Sequence, residues 1–326
     1  MRDIYNINNI NDLYNIIKQQ YNFEIKDFKI KKAPISIFDN LKKKLTNKND
    51  YLNYEFASKY LELCNNCFHI TYKKDEINMY IVLRGNITKH LKMELFKNVY
   101  RVYLLTKIYK ISNAGSSIFN YYIIMNPQKR YLPTKKDELI DVVNINGGFT
   151  YISENDIYII RKEDYCKVII HELLHHNIFI HKNDWKEQNI QRLKKHFNIH
   201  DNMLLIPTEA IVETYACVLN TIFYSIETGT SLKENLKKDQ LHSITLAKKI
   251  LDKQNGEKWV EKTHSYCYVV FKTILYVYFN KFLKIYKYHN DTEITDFVIK
   301  YYAQIRKKTA LIRNERKNNK LKQTIY

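Results

Sequence analysis

The chain has 326 residues, 45% of them hydrophobic, a proportion that supports a folded core and excludes a wholly disordered protein. Its 53 basic and 34 acidic residues give a net charge of +19, which raises the question of a polyanionic partner. The basic residues are 44 Lys and only 9 Arg, beside abundant Asn, Ile and Tyr, all residues with AT-rich codons. Base composition therefore accounts for much of the charge, and nucleic acid stays open as a partner without being required.

The amino terminus and the cysteines bear on location. The first fifteen residues, MRDIYNINNINDLYN, have no apolar core and do not form a secretory signal. The most apolar later segment, residues 265–280, contains Lys272 and is shorter than the roughly 18 residues of a membrane span. Five scattered cysteines, an odd number, fit reduced intracellular thiols, and we interpret the single CxxC at Cys64 and Cys67 as accidental. The sequence predicts a soluble, cytoplasmic protein without a membrane span.

The first 112 residues form a mostly helical region whose role as a separate domain, a propeptide or an exosite the sequence leaves open. Apolar residues spaced by three and four predict helices at Asp12–Gln20, Ile35–Leu45 and Tyr51–Leu63. Alternating residues then predict a hairpin of Phe68–Tyr72 and Met79–Leu83, followed by a long helix from about Thr88 to Ile111.

Residues 113–312 are predicted to form an α+β domain. Its mixed β-sheet lobe is followed by a mainly helical lobe. The sheet lobe is predicted from strand Ile118–Met125, a helix from Thr134 to about Val143, and strands Phe149–Ile152 and Ile157–Ile160. The helical lobe is predicted from Trp185–Phe197, Pro207–Glu227, Leu232–Lys253, His264–Lys287 and Glu293–Ile312. Residues 313–326 form a basic tail, expected to fray over Arg313–Lys322.

The stretch KVIIHELLHHN, residues 167–177, carries the chemistry. On a helix His171 and His175 lie one turn apart on the same face, with Glu172 beside them. Imidazoles at this spacing can bind one Zn²⁺, which lowers the pKa of a water to near 7. Glu172 is then the general base that takes the proton of this water during attack on a carbonyl.

Two residues compete for the third metal position. His181 completes the histidine spacing HExxHxxGxxH, but Ile178 occupies the glycine position, and a β-branched residue resists the positive φ of the required turn. The alternative is Glu209, in the first turn of a helix that opens at Pro207, with Glu213 one turn later. In the gluzincin arrangement the first acid binds zinc and the second orients a zinc-binding histidine. The turn geometry favours Glu209.

Three stretches resemble a family of predicted gluzincin-like zinc peptidases found in large nucleocytoplasmic DNA viruses. They are IYIIRKEDYCKVIIHELLH (157–175), PTEAIVETYA (207–216) and NGGFT (146–150). The resemblance covers roughly residues 115–280 and is specific at the two helices. It implies His171, His175 and Glu209 as zinc ligands and Glu172 as base, and it implies no substrate.

A further candidate opens the next long apolar helix. His264 is predicted to stabilise the oxyanion of the tetrahedral intermediate, with Tyr266 and Tyr268 as alternative donors and a helix-capping role as the structural alternative. Residues 113–312 are therefore predicted to be a zincin-like catalytic domain, with the active-site helix in its mixed β-sheet lobe. The sequence thus predicts a zinc metallopeptidase that acts on a protein or peptide substrate. The alternative is a basic nucleic-acid-binding or virion-packaging protein with a structural or vestigial zinc site; an intact Glu172 favours the enzyme.

Overall fold

A computed structural model describes residues 7–46, 51–52, 54–73, 77–111, 119–135, 137–152, 154–176, 185–286, 290–312 and 319–326. The chain forms two compact units. The sheet unit comprises Gln19–Arg130 and Asn146–Asn177, and the helical unit comprises Met1–Lys18, Tyr131–Ile145 and Ile178–Tyr326. Over the described residues the protein has twelve α-helices and one open, mixed six-stranded sheet, which confirms the α+β class.

The sheet unit has strands in the order β1-β2-β3-β4-β6-β5. The strands are β1 (Phe28–Lys32), β2 (Asn66–Tyr72), β3 (Ile77–Leu83), β4 (Asn120–Ile124), β5 (Gly148–Thr150) and β6 (Asp156–Ile159). Its helices are α2 (Ile35–Thr46), α3 (Tyr54–Glu62), α4 (Lys89–Tyr109) and α6 (Tyr165–Leu174). Strands β3, β4 and β6 are parallel neighbours, and the other pairs are antiparallel. The hairpin β2–β3 was predicted, whereas β1 was missed, and three strands from before residue 112 share the sheet with later strands.

One face of the sheet forms the core of this unit. Alternation along the strands places large apolar side chains on this face, and Ile70, Met79 and Tyr121 are fully buried there. Helix α4 packs on the same face, with the ring of Phe96 stacked 4.6 Å from that of Phe28. Thr88 caps α4, because its side-chain oxygen accepts a hydrogen bond from the Leu91 backbone amide.

The opposite face carries a row of aromatic rings, one from each of five neighbouring strands. The row is His69, Tyr80, Tyr122, Tyr158 and Phe149, with consecutive ring centroids 4.5–5.3 Å apart and planes tilted by only 9–16°. Consecutive members are register partners across the sheet, so the ladder of strands dictates the row.

The helical unit contains one long helix, Pro207–Thr228, that is buried over most of its length. Its helices are α1 (Ile10–Gln20), α5 (Val142–Ile145), α7 (Glu187–His196), α8 (Pro207–Thr228), α9 (Leu232–Gln254), α10 (Lys272–Val277), α11 (Phe279–Tyr286) and α12 (Asp291–Leu311), with a π-helical segment at Tyr266–Phe271. Within helix α8, Val218, Leu219 and Phe223 are inaccessible to solvent. None of the described helices is both long and apolar enough to cross a membrane.

Two predicted helices of this unit differ from the structure. The span His264–Lys287 is broken into the π-helical segment, α10 and α11, and it turns at Tyr278, whose ring packs 4.4 Å from that of Tyr301. The helix predicted from Thr134 is reduced to α5. Before α5 the backbone forms hydrogen bonds with distant residues. The Leu132 amide donates to the Asn319 carbonyl, and the Ile140 carbonyl accepts from the Lys262 amide.

The tail was predicted to fray over Arg313–Lys322, and this is wrong for the described part of that stretch, residues 319–322. Leu321 and Thr324 are fully buried. Asp239 of α9, itself fully buried, accepts hydrogen bonds from the Thr324 hydroxyl at 2.8 Å and from the Ile325 amide at 2.9 Å. A buried carboxylate needs such donors, so this segment stabilises α9 while α9 holds it in place.

Candidate metal centre

Helix α6 begins at a buried charge cluster. Its N-cap residue, Asp164, has a left-handed backbone with φ 60°. The Arg130 guanidinium lies 3.1 Å from the Asp164 carboxylate and 3.4 Å from that of Glu163, and the side chains of all three are buried. Burial lowers the pKa of the nearby Arg161 to about 9, with the charge of Arg130 acting in the same direction. The predicted strand-to-helix connection is therefore anchored by ion pairs that the sequence analysis did not identify.

The two predicted histidine ligands meet on one face of α6. The Nε2 atoms of His171 and His175 lie 3.1 Å apart, and their ring centroids are separated by 4.9 Å. Two nitrogen ligands of one tetrahedral zinc, each about 2.0–2.1 Å from the ion, are about 3.3 Å apart. Val168, Ile169, Leu173 and Leu174 pack the other faces of the helix and are nearly inaccessible. The helix thus presents two imidazoles in a geometry that suits one metal ion.

Glu172 directly follows His171 on α6 and lies against strand β5. Its side chain is only 5% exposed. A Cβ atom added at Gly148 would lie 3.1 Å from Glu172 Oε1, 2.9 Å from Val168 Cγ1 and 2.7 Å from the Tyr158 carbonyl oxygen. Any larger residue at position 148 would therefore push the strand away from the carboxylate.

A side chain at position 147 would collide with different neighbours. A Cβ atom there would lie 2.2 Å from Arg130 Nη2 and 2.8 Å from Val168. The space beside Gly147 and Gly148 is filled from within the sheet unit, by Arg130 and by side chains of helix α6. The two glycines thus bring β5 close to α6.

Glu209 is the third member of the metal-binding group. It lies in the first turn of α8, which begins with Pro207 as predicted, and it is half-buried. The ligand atoms of His171, His175 and Glu209 all lie within 4.8 Å of one another, so this group could hold a metal ion. His181, the competing ligand, lies outside the described residues and stays an untested alternative.

Glu213, predicted to orient a metal ligand, is almost fully buried one turn after Glu209. The Cys217 thiol donates a long hydrogen bond of 3.9 Å to the Glu213 carboxylate. Ionised carboxylates are rarely buried unless other groups stabilise them. The burial of Glu213 is thus compatible with a supporting role, which remains a prediction.

His264 lies near Glu209 within the helical unit. Burial lowers the pKa of the His264 imidazole, while the charge of Glu209 and a hydrogen bond to the Leu204 backbone oppose this shift. The two alternative donors differ. Tyr268 is half-buried with its ring 6.4 Å from that of His264, whereas Tyr266 is fully buried and donates to Gln254 Oε1 at 3.1 Å. Tyr266 is therefore not placed to meet a substrate.

Cys64 and Cys67 are free thiols in the interior of the sheet unit. Burial raises the pKa of Cys64 to about 11 and that of Cys67 to about 12. Thiols in this state are poor nucleophiles and poor metal ligands at neutral pH, because the thiolate is the reactive form. Their chemistry thus agrees with the interpretation of this CxxC as accidental.

Two features of the site could not be inferred from sequence spacing. Arg130 lies 34 residues before its partner Asp164 in the chain, and no local sequence pattern indicates that the two residues pair. The Thr150 hydroxyl lies 2.9 Å from His176 Nε2. A third histidine directly after His175 was visible in the sequence, but its partner on strand β5 was not.

Glu261 gives the helical unit a pH-dependent stability. Its carboxylate accepts hydrogen bonds from the Ser265 and Tyr266 amides and from the Ser265 hydroxyl, at the start of the π-helical segment. Burial nevertheless raises the pKa of Glu261 to about 7. Because the folded protein holds this proton more tightly than the unfolded chain does, the contribution of Glu261 is largest at low pH. It decreases as pH rises from about 4.5 to about 7.

We therefore expect wild type to lose about 2–4 kcal/mol of unfolding free energy relative to Glu261→Gln between pH 4.5 and 7.5. Urea unfolding of both proteins at several pH values measures this difference. Glu257→Gln, at an exposed position of the same connection, is the control and should follow wild type. A constant difference between wild type and Glu261→Gln at all pH values would contradict the prediction.

Comparisons of this chain with protein-family models, with curated proteins and with solved structures found no match.

Proposed function

We propose that this protein is a zinc-dependent metallopeptidase of gluzincin type with a zincin-like catalytic fold. The observation that carries the proposal is the pair of imidazole nitrogens 3.1 Å apart with the buried Glu172 between them in sequence. The donor set of two imidazoles and the Glu209 carboxylate fits zinc, which binds such nitrogen and oxygen ligands in catalytic sites. The resemblance to gluzincin-like peptidases of large nucleocytoplasmic DNA viruses points to the same class, and to the cytoplasm as its location.

The roles of the side chains follow from their chemistry. When bound, a zinc ion supplies Lewis-acid chemistry and makes water acidic near neutral pH. Glu172 accepts the proton of the attacking water and delivers it to the leaving amine, since it is the carboxylate adjacent to both imidazoles. His264 donates to the oxyanion that develops on the substrate carbonyl. Glu213 supports the ligand set from the turn after Glu209.

Strand β5 is the proposed binding edge for the peptide. It is the last strand of the sheet over the described residues, while β6 lies between β4 and β5 and cannot serve. An extended peptide can add to such an edge through backbone hydrogen bonds. Because Gly148 lies against Glu172, a peptide paired with β5 would pass close to the proposed base.

The activity is tested on the full-length chain loaded with one equivalent of zinc. We expect it to cleave peptides of a synthetic dodecapeptide library, and removal of the metal by a chelator to stop cleavage. Mass spectrometry of the new termini reports the reaction. Zinc-loaded protein that leaves the whole library intact would refute the peptidase proposal.

The ligand set is tested by zinc stoichiometry on three purified variants. We expect Glu209→Ala to lose stoichiometric zinc because only two imidazoles remain, and His181→Ala to retain it. Glu213→Ala should cost about 10–100-fold in zinc affinity, the usual effect of removing a group that supports a ligand. Full zinc in Glu209→Ala together with loss in His181→Ala would overturn the gluzincin assignment in favour of the third histidine.

A further inference from the structure

Two contacts within the sheet unit join strand β5 to helix α6 and to the turn that directly follows it. Gly148 lies against Glu172, and Thr150 Oγ1 lies 2.9 Å from His176 Nε2. Two residues advance a strand by about 6.6 Å, and four residues advance a helix by about 6 Å. The spacing between the two contacts is therefore nearly the same on both elements, so that β5 lies along the metal-binding turn in one register.

The direction of the Thr150–His176 hydrogen bond follows from the other bond of this hydroxyl. Thr150 Oγ1 donates its single hydrogen to the Asp156 carbonyl oxygen at 3.1 Å, because a carbonyl only accepts. The same oxygen must therefore accept from His176, whose proton then lies on Nε2. The His176 ring is only 6% exposed and packs 4.9 Å from the ring of Phe119. The His176 ring is thus held by its hydrogen bond to Thr150 and by its packing against Phe119.

The same strand directs the backbone groups of Gly148 and Thr150 away from its neighbour β6. The Ile160 amide donates to the Gly147 carbonyl at 2.9 Å. Since backbone groups alternate along an antiparallel strand, those of Gly147 and Phe149 point toward β6. The amide and carbonyl groups of Gly148 and Thr150 point away from β6, toward the open edge. The residues that contact α6 are thus the ones that an added peptide strand would pair with.

We infer that His176 is a positioning residue that sets the register of the bound peptide relative to Glu172, by holding Thr150 of the edge strand. This inference rests on the proposed function. Strand β5 has only three residues and one neighbouring strand, so its own ladder defines its position weakly. The His176–Thr150 bond ties this short strand to the turn that carries the metal ligands. A peptide added to β5 is thereby aligned with the base.

The test compares substitutions that break the bond with substitutions that keep it. Thr150→Val keeps the shape of the side chain but removes the acceptor, and His176→Leu removes the donor. Thr150→Ser keeps the hydroxyl, and His176→Gln keeps an N–H donor on a side chain of similar reach. Thr71→Val, at a buried position of β2, controls for the loss of a hydroxyl from the sheet. All five are prepared as full-length, zinc-loaded protein.

We expect Thr150→Val and His176→Leu to bind zinc like wild type but to lose about 10–100-fold in kcat/KM on the dodecapeptide library, as misplaced substrates do. Their cleavage should also spread to neighbouring bonds of each peptide. Thr150→Ser, His176→Gln and Thr71→Val should cleave the wild-type bonds at near wild-type rates. Nitrogen NMR of His176 should place its proton on Nε2 in wild type.

The outcomes separate the inference from the function. If wild type cleaves the library and Thr150→Val cleaves the same bonds with the same kcat and KM, the positioning role is wrong and the peptidase stands. A His176 proton on Nδ1 at neutral pH would equally overturn the inference. If zinc-loaded wild type cleaves nothing, the proposed function and the positioning role fall together.

Discussion

Replacement of Glu172 by Gln is expected to leave zinc stoichiometry unchanged and to reduce peptide cleavage by about 10²–10⁴-fold, the usual contribution of a general base. The amide has nearly the shape of the carboxylate, so the contact with Gly148 is preserved while the proton acceptor is lost. The imidazoles of His171 and His175 keep their separation of 3.1 Å and still offer two ligands. Metal content by mass spectrometry and kcat/KM on the dodecapeptide library are measured on the same preparations.

Two further variants make the Glu172 result specific. Glu187→Gln changes an exposed carboxylate on α7 and should leave both zinc and turnover unaltered. His171→Ala should lose zinc and turnover together, because a ligand is removed. If zinc-loaded Glu172→Gln retains turnover, Glu172 is not the general base, and the proposed peptidase mechanism is wrong.

Replacement of Arg130 by Met is expected to lower the free energy of unfolding by about 3–5 kcal/mol, because it leaves buried carboxylates without their cation. The side chains of Glu163 and Asp164 are 3% and 0% exposed, and the Arg130 guanidinium contacts both. The same guanidinium also donates to the Glu163 carbonyl at 3.2 Å. Urea unfolding of the metal-free protein measures the loss without a contribution from metal binding.

The neighbouring residue offers a matched control for Arg130. Lys129 also approaches Glu163, at 3.9 Å, but its side chain is 55% exposed. Exposed pairs contribute about 0–1 kcal/mol, so Lys129→Met should be nearly neutral. Equal, small losses in the two variants would mean that the buried cluster does not anchor the start of α6.

The sequence was sufficient for those features that depend on short-range periodicity. The spacing HELLH places His171 and His175 on one helical face, and the structure brings their nitrogens together. Pro207 opens α8 and puts Glu209 in its first turn, and Glu209 joins the histidines in the group that could hold a metal ion. For the two histidines, and for the place of Glu209 in the first turn of α8, one turn of helix of about 3.6 residues is the only geometry required, and local sequence encodes it.

Features that depend on distant partners were decided by the tertiary structure. Strand β1 was missed because its sequence, FKIKK, is rich in lysine, and only pairing with β2 makes it a strand. The described residues between Thr134 and α5 are not helical, and the Ile140 carbonyl among them accepts from the distant Lys262 amide. The described end of the tail is ordered because Asp239, buried in α9, requires donors that Thr324 and Ile325 supply.

The same division applies to the site itself. Sequence spacing determined which side chains share the face of α6, because residues on one helix are related by a fixed rotation. It could not determine that β5 lies along that helix, with Gly148 at Glu172 and Thr150 at His176. Those contacts join residues 24 and 26 positions apart, and they form only when the whole sheet has placed β5 at its edge. The shared helical face of His171 and His175 is thus a property of local sequence, whereas the position of the edge strand is a property of the fold.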